Sequence, residues 1–346
     1  MLERPFPWTS DRGHTILSRK TALIDLELDR LGIQSASLRE TWWYSSGSIR
    51  EKHYTIFWNG FENGEKPKQG VGIAVRNTLL SCVEQPLFVS HRLMSIRMCT
   101  RAGYITVISA YAPTLLASDE DKEEFYQQLS NLLSSIPAGH DIALLGDFNA
   151  LIGADADSWT SVIGCFGVGK INENRQRLLE LCSLFNLSVA SSFFKGSLRS
   201  MVTWMHPRSR RWHQLDHVII RRRQLRGLKQ CCSMHSTDCG NDHALVRCKL
   251  QITLKKFHQT RPKPLPLVDV SSTRDLSAIS TFNICYLLNW TVQPYPLIQT
   301  SPGVQLVMLC PVHSRPMVSN QRRSLTGFAT TSTFFYPSLQ PNDQPD

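Results

Sequence analysis

Between residues 71 and 147 the chain alternates in a pattern that few folds accept. Three short segments, VGIAV at 71–75, RLMSIRM at 92–98 and YITVISAY at 104–111, are apolar, rich in β-branched and aromatic residues, and separated by polar turns, which predicts strands. A helix should follow. Ser118 and Asp121 resemble a capping box, Phe125, Leu129, Leu132 and Ile136 recur at helical spacing, and Pro137 stops the run. ALLGDFNALIG at 143–153 then reads as a buried strand ending in Asp147 and Asn149, two residues apart and so aimed the same way by the strand period. Helices are also predicted over Lys20–Leu31, with Gly32 at the C-cap, and over Asn174–Phe185. LSVASS at 187, MVTWM at 201, QLDHVII at 214 and HALVRCKL at 243 add strands. Interleaved strands and helices with no internal repeat predict an α/β architecture with mixed sheets.

At 346 residues, 42% of them hydrophobic, the chain has room for one large domain and an extension. Near residue 257 the character changes. The last 90 residues hold eleven of the eighteen prolines, four Asp and no Glu, with no sustained apolar period, so residues 1–256 are expected to form the domain and 257–346 a Pro-rich, disordered tail. Within that tail, LSAISTFNICYLLNW at 276–290 could form one helix or strand.

The net charge of +10 is concentrated. Residues 181–256 carry fourteen Lys and Arg against three Asp and no Glu, which points to a polyanionic partner. Ten scattered cysteines suit a reducing compartment. The first residues, MLERPFPWTS, lack the apolar core of a signal peptide, and no apolar run approaches a membrane span. These features predict an intracellular (nuclear or cytoplasmic) monomer away from membranes. Cys231, Cys232, His235 and Cys239 have vicinal and irregular spacing that argues against a zinc site.

The placement of acids carries the chemistry. Glu40 ends one strand, Asp147 and Asn149 end another, Asp216 lies inside QLDHV, and Asp242 with His243 opens HALVRCKL. Unpaired carboxylates at strand ends and interiors cost several kcal/mol to desolvate. A divalent cation reverses that penalty, and hard oxygen donors suit Mg²⁺ or Mn²⁺.

The series LRET at 38, AYAP at 110, GDFNA at 146, TW at 203, QLDHV at 214 and NDHALV at 241 resembles, in order and spacing, the endonuclease/exonuclease/phosphatase superfamily. Within it the chain looks most like the craniofacial development protein 2-like proteins and the endonuclease domains of long interspersed element (non-LTR) retrotransposons, over roughly residues 20–255. The resemblance implies a four-layer sandwich of two packed mixed β-sheets flanked by helices, with the site at one edge. It implies a divalent-metal-dependent DNA endonuclease or related phosphodiesterase. Glu40 would be the main Mg²⁺ (or Mn²⁺) ligand and Asp242 a second or outer-sphere one. Asp147 would orient or deprotonate the attacking water, with Asn149 beside it. His243 would hydrogen-bond the phosphoryl oxygen while Asp216 fixes its tautomer, and Tyr111 would touch the phosphate.

Arg208, Arg210 and Arg211 in MHPRSRRWH, and the run RRRQLR at 221–226, are expected at nucleic-acid phosphates. Trp204 is a candidate for base stacking, although burial in the core is the commoner fate of a strand Trp. The chain also departs from the family pattern. That pattern opens on a strand carrying Asn after Trp, whereas here Thr9 follows Trp8 and no Asn precedes Asn59. Arg175 stands where the subgroup usually has Gly, next to Asn174, a candidate substrate contact, and His217 where Tyr is usual. A second expectation is therefore a noncatalytic nucleic-acid-binding or interaction protein derived from such an enzyme.

Overall fold

The computed structural model describes residues 11–61, 69–169, 171–235, 243–255 and 304–309, all within the unit Met1–Ser314. In chain order these form α1 (Asp11–Arg30), β1 (Ser35–Arg39), β2 (Ser46–Arg50), β3 (Tyr54–Asn59), β4 (Val71–Arg76), β5 (Leu87–Ser90), β6 (Leu93–Thr100), β7 (Gly103–Tyr111), α2 (Asp119–Ser135) and β8 (Asp141–Asp147). Then come α3 (Glu173–Leu184), β9 (Leu187–Val189), β10 (Trp204–Met205), β11 (Trp212–His213), β12 (Asp216–Arg221), β13 (Leu228–Met234), β14 (Leu245–Leu250) and β15 (Val304–Leu309).

The strands make a seven-stranded sheet, ordered β13-β14-β15-β1-β4-β3-β2, a six-stranded sheet, ordered β5-β6-β7-β8-β12-β9, and the small hairpin β10-β11. Both large sheets mix parallel and antiparallel neighbours. Three apolar clusters separate the layers. Ile24 and Leu28 of α1 pack on Ala36, Leu38, Tyr54 and Ile56 of the first sheet. Ile73, Ile96, Val107, Leu145, Val218 and Cys248 fill the space between the sheets. Phe125, Leu129, Leu178 and Leu179 of α2 and α3 cover Ile108, Ile142 and Leu144 of the second sheet. The result is the four-layer α/β sandwich expected from the sequence.

The start of α2 forms as its residues require, with the Ser118 hydroxyl accepting from the Asp121 amide. Asn172 caps α3 the same way at Arg175. Strand alternation sorts β1: Ala36 and Leu38 join the α1 cluster, while the Ser37 hydroxyl crosses to the Ser109 hydroxyl of β7 at 2.7 Å. Arg39, in step with Ser37, therefore enters the space between the sheets.

Two sequence expectations change here. The region beyond 256 contributes β15 to the first sheet, parallel to β1 and antiparallel to β14; residues 256–303 and 310–346, including 276–290, lie outside the described residues. The strand of GDFNA ends at Asp147, so strand alternation does not relate Asp147 to Asn149. Instead the Asn149 amide donates to Asp147 Oδ1 at 2.9 Å, and Asn149 is left-handed, with φ 48°, closing a tight Asx turn.

Gly146 lets β7 and β8 approach closely. A Cβ there would stand 2.2 Å from the Ala110 carbonyl oxygen, and the register on either side aligns Tyr111 with Asp147. Gly146→Ala is expected to cost about 1–3 kcal/mol of stability, read as a lower urea midpoint with an unchanged slope. An unchanged midpoint would contradict this packing.

Candidate active site

Four strand ends converge. Asp147 closes β8, with Tyr111 of β7 beside it on one side and Asp216, the first residue of β12, on the other. Arg39 ends β1 of the opposite sheet, and Glu40 follows in a left-handed conformation at φ 51°. His243 joins through a bridge to Trp204 of β10. Left-handed backbone at two non-glycine residues of one site, Glu40 and Asn149, costs roughly 1–2 kcal/mol each and persists because the surrounding structure holds it.

The contacts are specific. His243 Nδ1 lies 2.8 Å from Asp216 Oδ2. Arg39 Nη1 donates to Asp147 Oδ2 at 2.7 Å, and its Nη2 stands 3.6 Å from Asp216 Oδ1. The Tyr111 hydroxyl donates to Glu40 Oε1 at 2.9 Å. Asp147, Asp216 and His243 each offer a ligand atom, all within 4.8 Å of one another. Glu40 stands apart from that group of three, next to Tyr111 and 4.0 Å from Arg39 Nη1.

Burial treats the two aspartates differently. Burial pushes Asp147 up to about 6, against the pull of Arg39 and with the Asp216 charge adding to the rise. Burial also opposes ionisation of Asp216, but His243 and Arg39 outweigh it and hold that carboxyl well below the usual range. The anionic Asp216 favours a proton on the facing His243 Nδ1. Burial and the neighbouring Glu40 and Asp147 charges raise the Tyr111 phenol well above its ordinary value, so it remains a donor.

Around these groups lies a brace. Thr203 Oγ1 accepts from the Leu215 and Asp216 amides. Asn149 Nδ2 donates to the Ala112 carbonyl at 3.0 Å, and the Asn149 carbonyl accepts from Asn172 and Asn174. Asn174 is also a strut: it is buried, and its amide is shared between the Asn149 and Pro113 carbonyls, bracing the loop. Arg175 is buried near Asp155. His217 is buried and bonds through Nε2 to the Ala150 carbonyl, with burial lowering its pKa.

The basic runs separate. Arg208, Arg210 and Arg211 are exposed on the turn of the β10-β11 hairpin, with Trp212 41% exposed beside them. Trp204 is half-buried at the base, its ring 5.9 Å from that of His243, so the hairpin is anchored to the site. Arg221 and Arg223 do not belong to that surface. They sit at or beyond the far end of β12, about 17 Å along the strand from Asp216, where Arg221 donates to the His140 carbonyl and Arg223 pairs with Asp141. Asp242 lies outside the described residues. Cys231 faces Cys248 across β13-β14, inside the core between the sheets.

Sequence reasoning gave no role to Arg39 and Thr203, present only within LRET and TW, and passed over Asn172. Arg39 had a signal, since SASLR places a charge in phase with two serines on a strand that is buried throughout. The two others declare themselves only through the loops they tie.

Two mixed sheets packed face to face, with helices on both outer faces, thus bring an acid–His group together at the strand ends. The chain is 28% identical over 245 residues to Craniofacial development protein 2 of Bos taurus, and 27% identical over 241 residues to that of Tragulus javanicus. The matches cover 70% of this chain and 40% and 41% of the relatives, so it spans about two-fifths of their length. No family model matches. Similar solved structures include the endonuclease domain of TRAS1, a telomere-specific non-LTR retrotransposon, with a TM-score of 0.46, 14% identity, and 68% of this chain and 92% of that one covered. AP endonuclease LMAP from Leishmania major has a TM-score of 0.49 and 13% identity, covering 66% and 81%.

Proposed function

We propose that this chain is a divalent-metal-dependent phosphodiester hydrolase acting on nucleic acid, of the retrotransposon DNA-endonuclease type. The observation that carries the reading is the Asp216–His243 pair at 2.8 Å with Asp147 in the same group. The donor chemistry fits a hard cation: Glu40, Asp147 and Asp216 offer carboxylate oxygens, and the Mg²⁺ or Mn²⁺ they would hold supplies charge neutralisation at phosphate. Asp147 takes a proton from the attacking water. His243 Nε2 faces the phosphoryl oxygen, with Asp216 holding the ring in one tautomer. Tyr111 orients Glu40 and borders the phosphate. The exposed Arg208, Arg210, Arg211 and Trp212 meet the nucleic-acid backbone and bases, so binding should weaken with salt. Among the described residues no helix is long and apolar enough to cross a membrane.

The test is nicking of supercoiled plasmid by the full chain with Mg²⁺, Mn²⁺ or EDTA. Metal-dependent nicking supports the reading; DNA binding at low salt with no nicking under any metal supports a noncatalytic binding protein. One observation favours that second reading, the Arg39 guanidinium lying between both aspartates.

A pH dependence follows. Because the folded value of Asp147 lies above the ordinary 3.8, its proton favours the folded chain; that stabilisation is complete below about 4 and lost as pH rises through about 6. Asp216 works oppositely, contributing stability above the ordinary carboxylate value that is lost as pH falls through its depressed folded value. Nicking needs Asp147 unprotonated; burial raises its proton affinity and a cation held beside it lowers it, so the rate should rise with pH over the acidic range. A rate that falls as pH rises over that range would remove Asp147 as the base.

A further inference from the structure

Three of the four oxygens of the two aspartates carry hydrogen bonds, and the fourth, Asp216 Oδ1, is buried with no hydrogen bond among the described residues and lies beside the Arg39 charge. Asp147 Oδ1 accepts from the Asn149 amide and its Oδ2 from Arg39 Nη1. Asp216 Oδ2 meets His243 Nδ1, and its Oδ1 faces Arg39 Nη2 at 3.6 Å. The same guanidinium stands 4.0 Å from Glu40 and 5.7 Å from the centre of the Tyr111 ring. Its side chain is 3% exposed, and an arginine keeps its charge at every pH a folded protein meets. β1 puts it there by register, in step with Ser37 at the seam between the sheets.

Resting on the metal-site reading above, we infer that Arg39 is the resident cation of this cluster, supplying the countercharge that a divalent ion would otherwise bring to Asp147 and Asp216 and competing with that ion for them. The site is therefore assembled without metal, and metal enters against a fixed positive charge. The two cations are linked: whatever favours the one disfavours the other. Glu40, which stands farthest from the guanidinium and is the most exposed of the three carboxylates, is where an entering ion meets least opposition.

Mn²⁺ titration of the full chain, followed by thermal unfolding and by direct binding calorimetry, separates the possibilities for wild type, Arg39→Gln and Arg39→Lys. Arg39→Gln should melt below wild type in EDTA, regain that loss when Mn²⁺ is added, and bind Mn²⁺ at least about tenfold more tightly than wild type. Arg39→Lys keeps a cation and should track wild type in affinity. If Arg39→Gln binds Mn²⁺ no tighter than wild type, the competition is absent and the inference falls while the metal site stands. If Arg39→Gln stays unfolded even with Mn²⁺, the two cations are not interchangeable, and the inference is likewise overturned. If Arg39→Lys binds as tightly as Arg39→Gln, charge is not what matters. If no variant binds Mn²⁺, this inference and the metal-dependent reading fall together.

Discussion

A chain ended at residue 256 is expected to lose its cooperative thermal transition. β15 lies between β14 and β1, with four residue pairs along β1 and five along β14, and removing it opens a strand-wide gap inside a seven-stranded sheet. Each ladder hydrogen bond contributes about 1 kcal/mol net, so their sum is of the order of the whole stability of a typical domain, roughly 5–15 kcal/mol. Closing the gap by pairing β1 directly with β14 would require the sheet to shift by about 4.8 Å on one side. It would also move Arg39 relative to Asp147, because Arg39 is fixed by β1 and Asp147 by the other sheet. Circular dichroism melts of the full chain and the shortened one would decide it. A shortened chain with an unchanged, sharp melt would mean that β15 adds nothing to the sheet.

Nicking should fall by roughly 10²–10⁴-fold in Asp216→Asn and in His243→Ala. The asparagine is nearly isosteric with aspartate, yet it removes the anion that holds a proton on His243 Nδ1, so the ring can present the wrong tautomer to the phosphoryl oxygen. It also leaves Arg39 with one fewer carboxylate. The double variant should be little worse than either single one, because a pair acting as a unit is lost once. Melting curves taken alongside would separate a lost proton path from a lost fold. A single variant that folds and nicks at the wild-type rate would exclude the pair from the chemistry.

Much of this was legible in the chain. Val71–Arg76, Leu93–Thr100 and Gly103–Tyr111 carry β-branched and aromatic residues dense enough to define strands before any packing is known. Ser118 and Asp121 announced α2, and the series of short motifs placed Glu40, Asp147, Asp216 and His243 at or next to strand ends. Other features were illegible because local pattern does not encode partners. VQLVML at 304–309 is an ordinary apolar hexapeptide in a Pro-rich stretch, and only the open edges of β1 and β14 make it a central strand. RRRQLR resembles a phosphate-binding run, but β12 carries it to the end of the sheet away from the site.

The sequence by itself determined the layers, because hydrophobic periodicity and turn chemistry act locally and every segment reports its own period. Motif order also singled out Asp147, Asp216 and His243, which lie together in the structure. Only the tertiary structure decided what surrounds them: that Asn149 turns through a left-handed Asx geometry, that Asn174 braces the Asn149 and Pro113 carbonyls, and that Arg39 stands among the carboxylates. Those outcomes depend on contacts between residues as far apart as 39 and 147, whose energies exist only once two sheets have closed on each other and water has left the space between them.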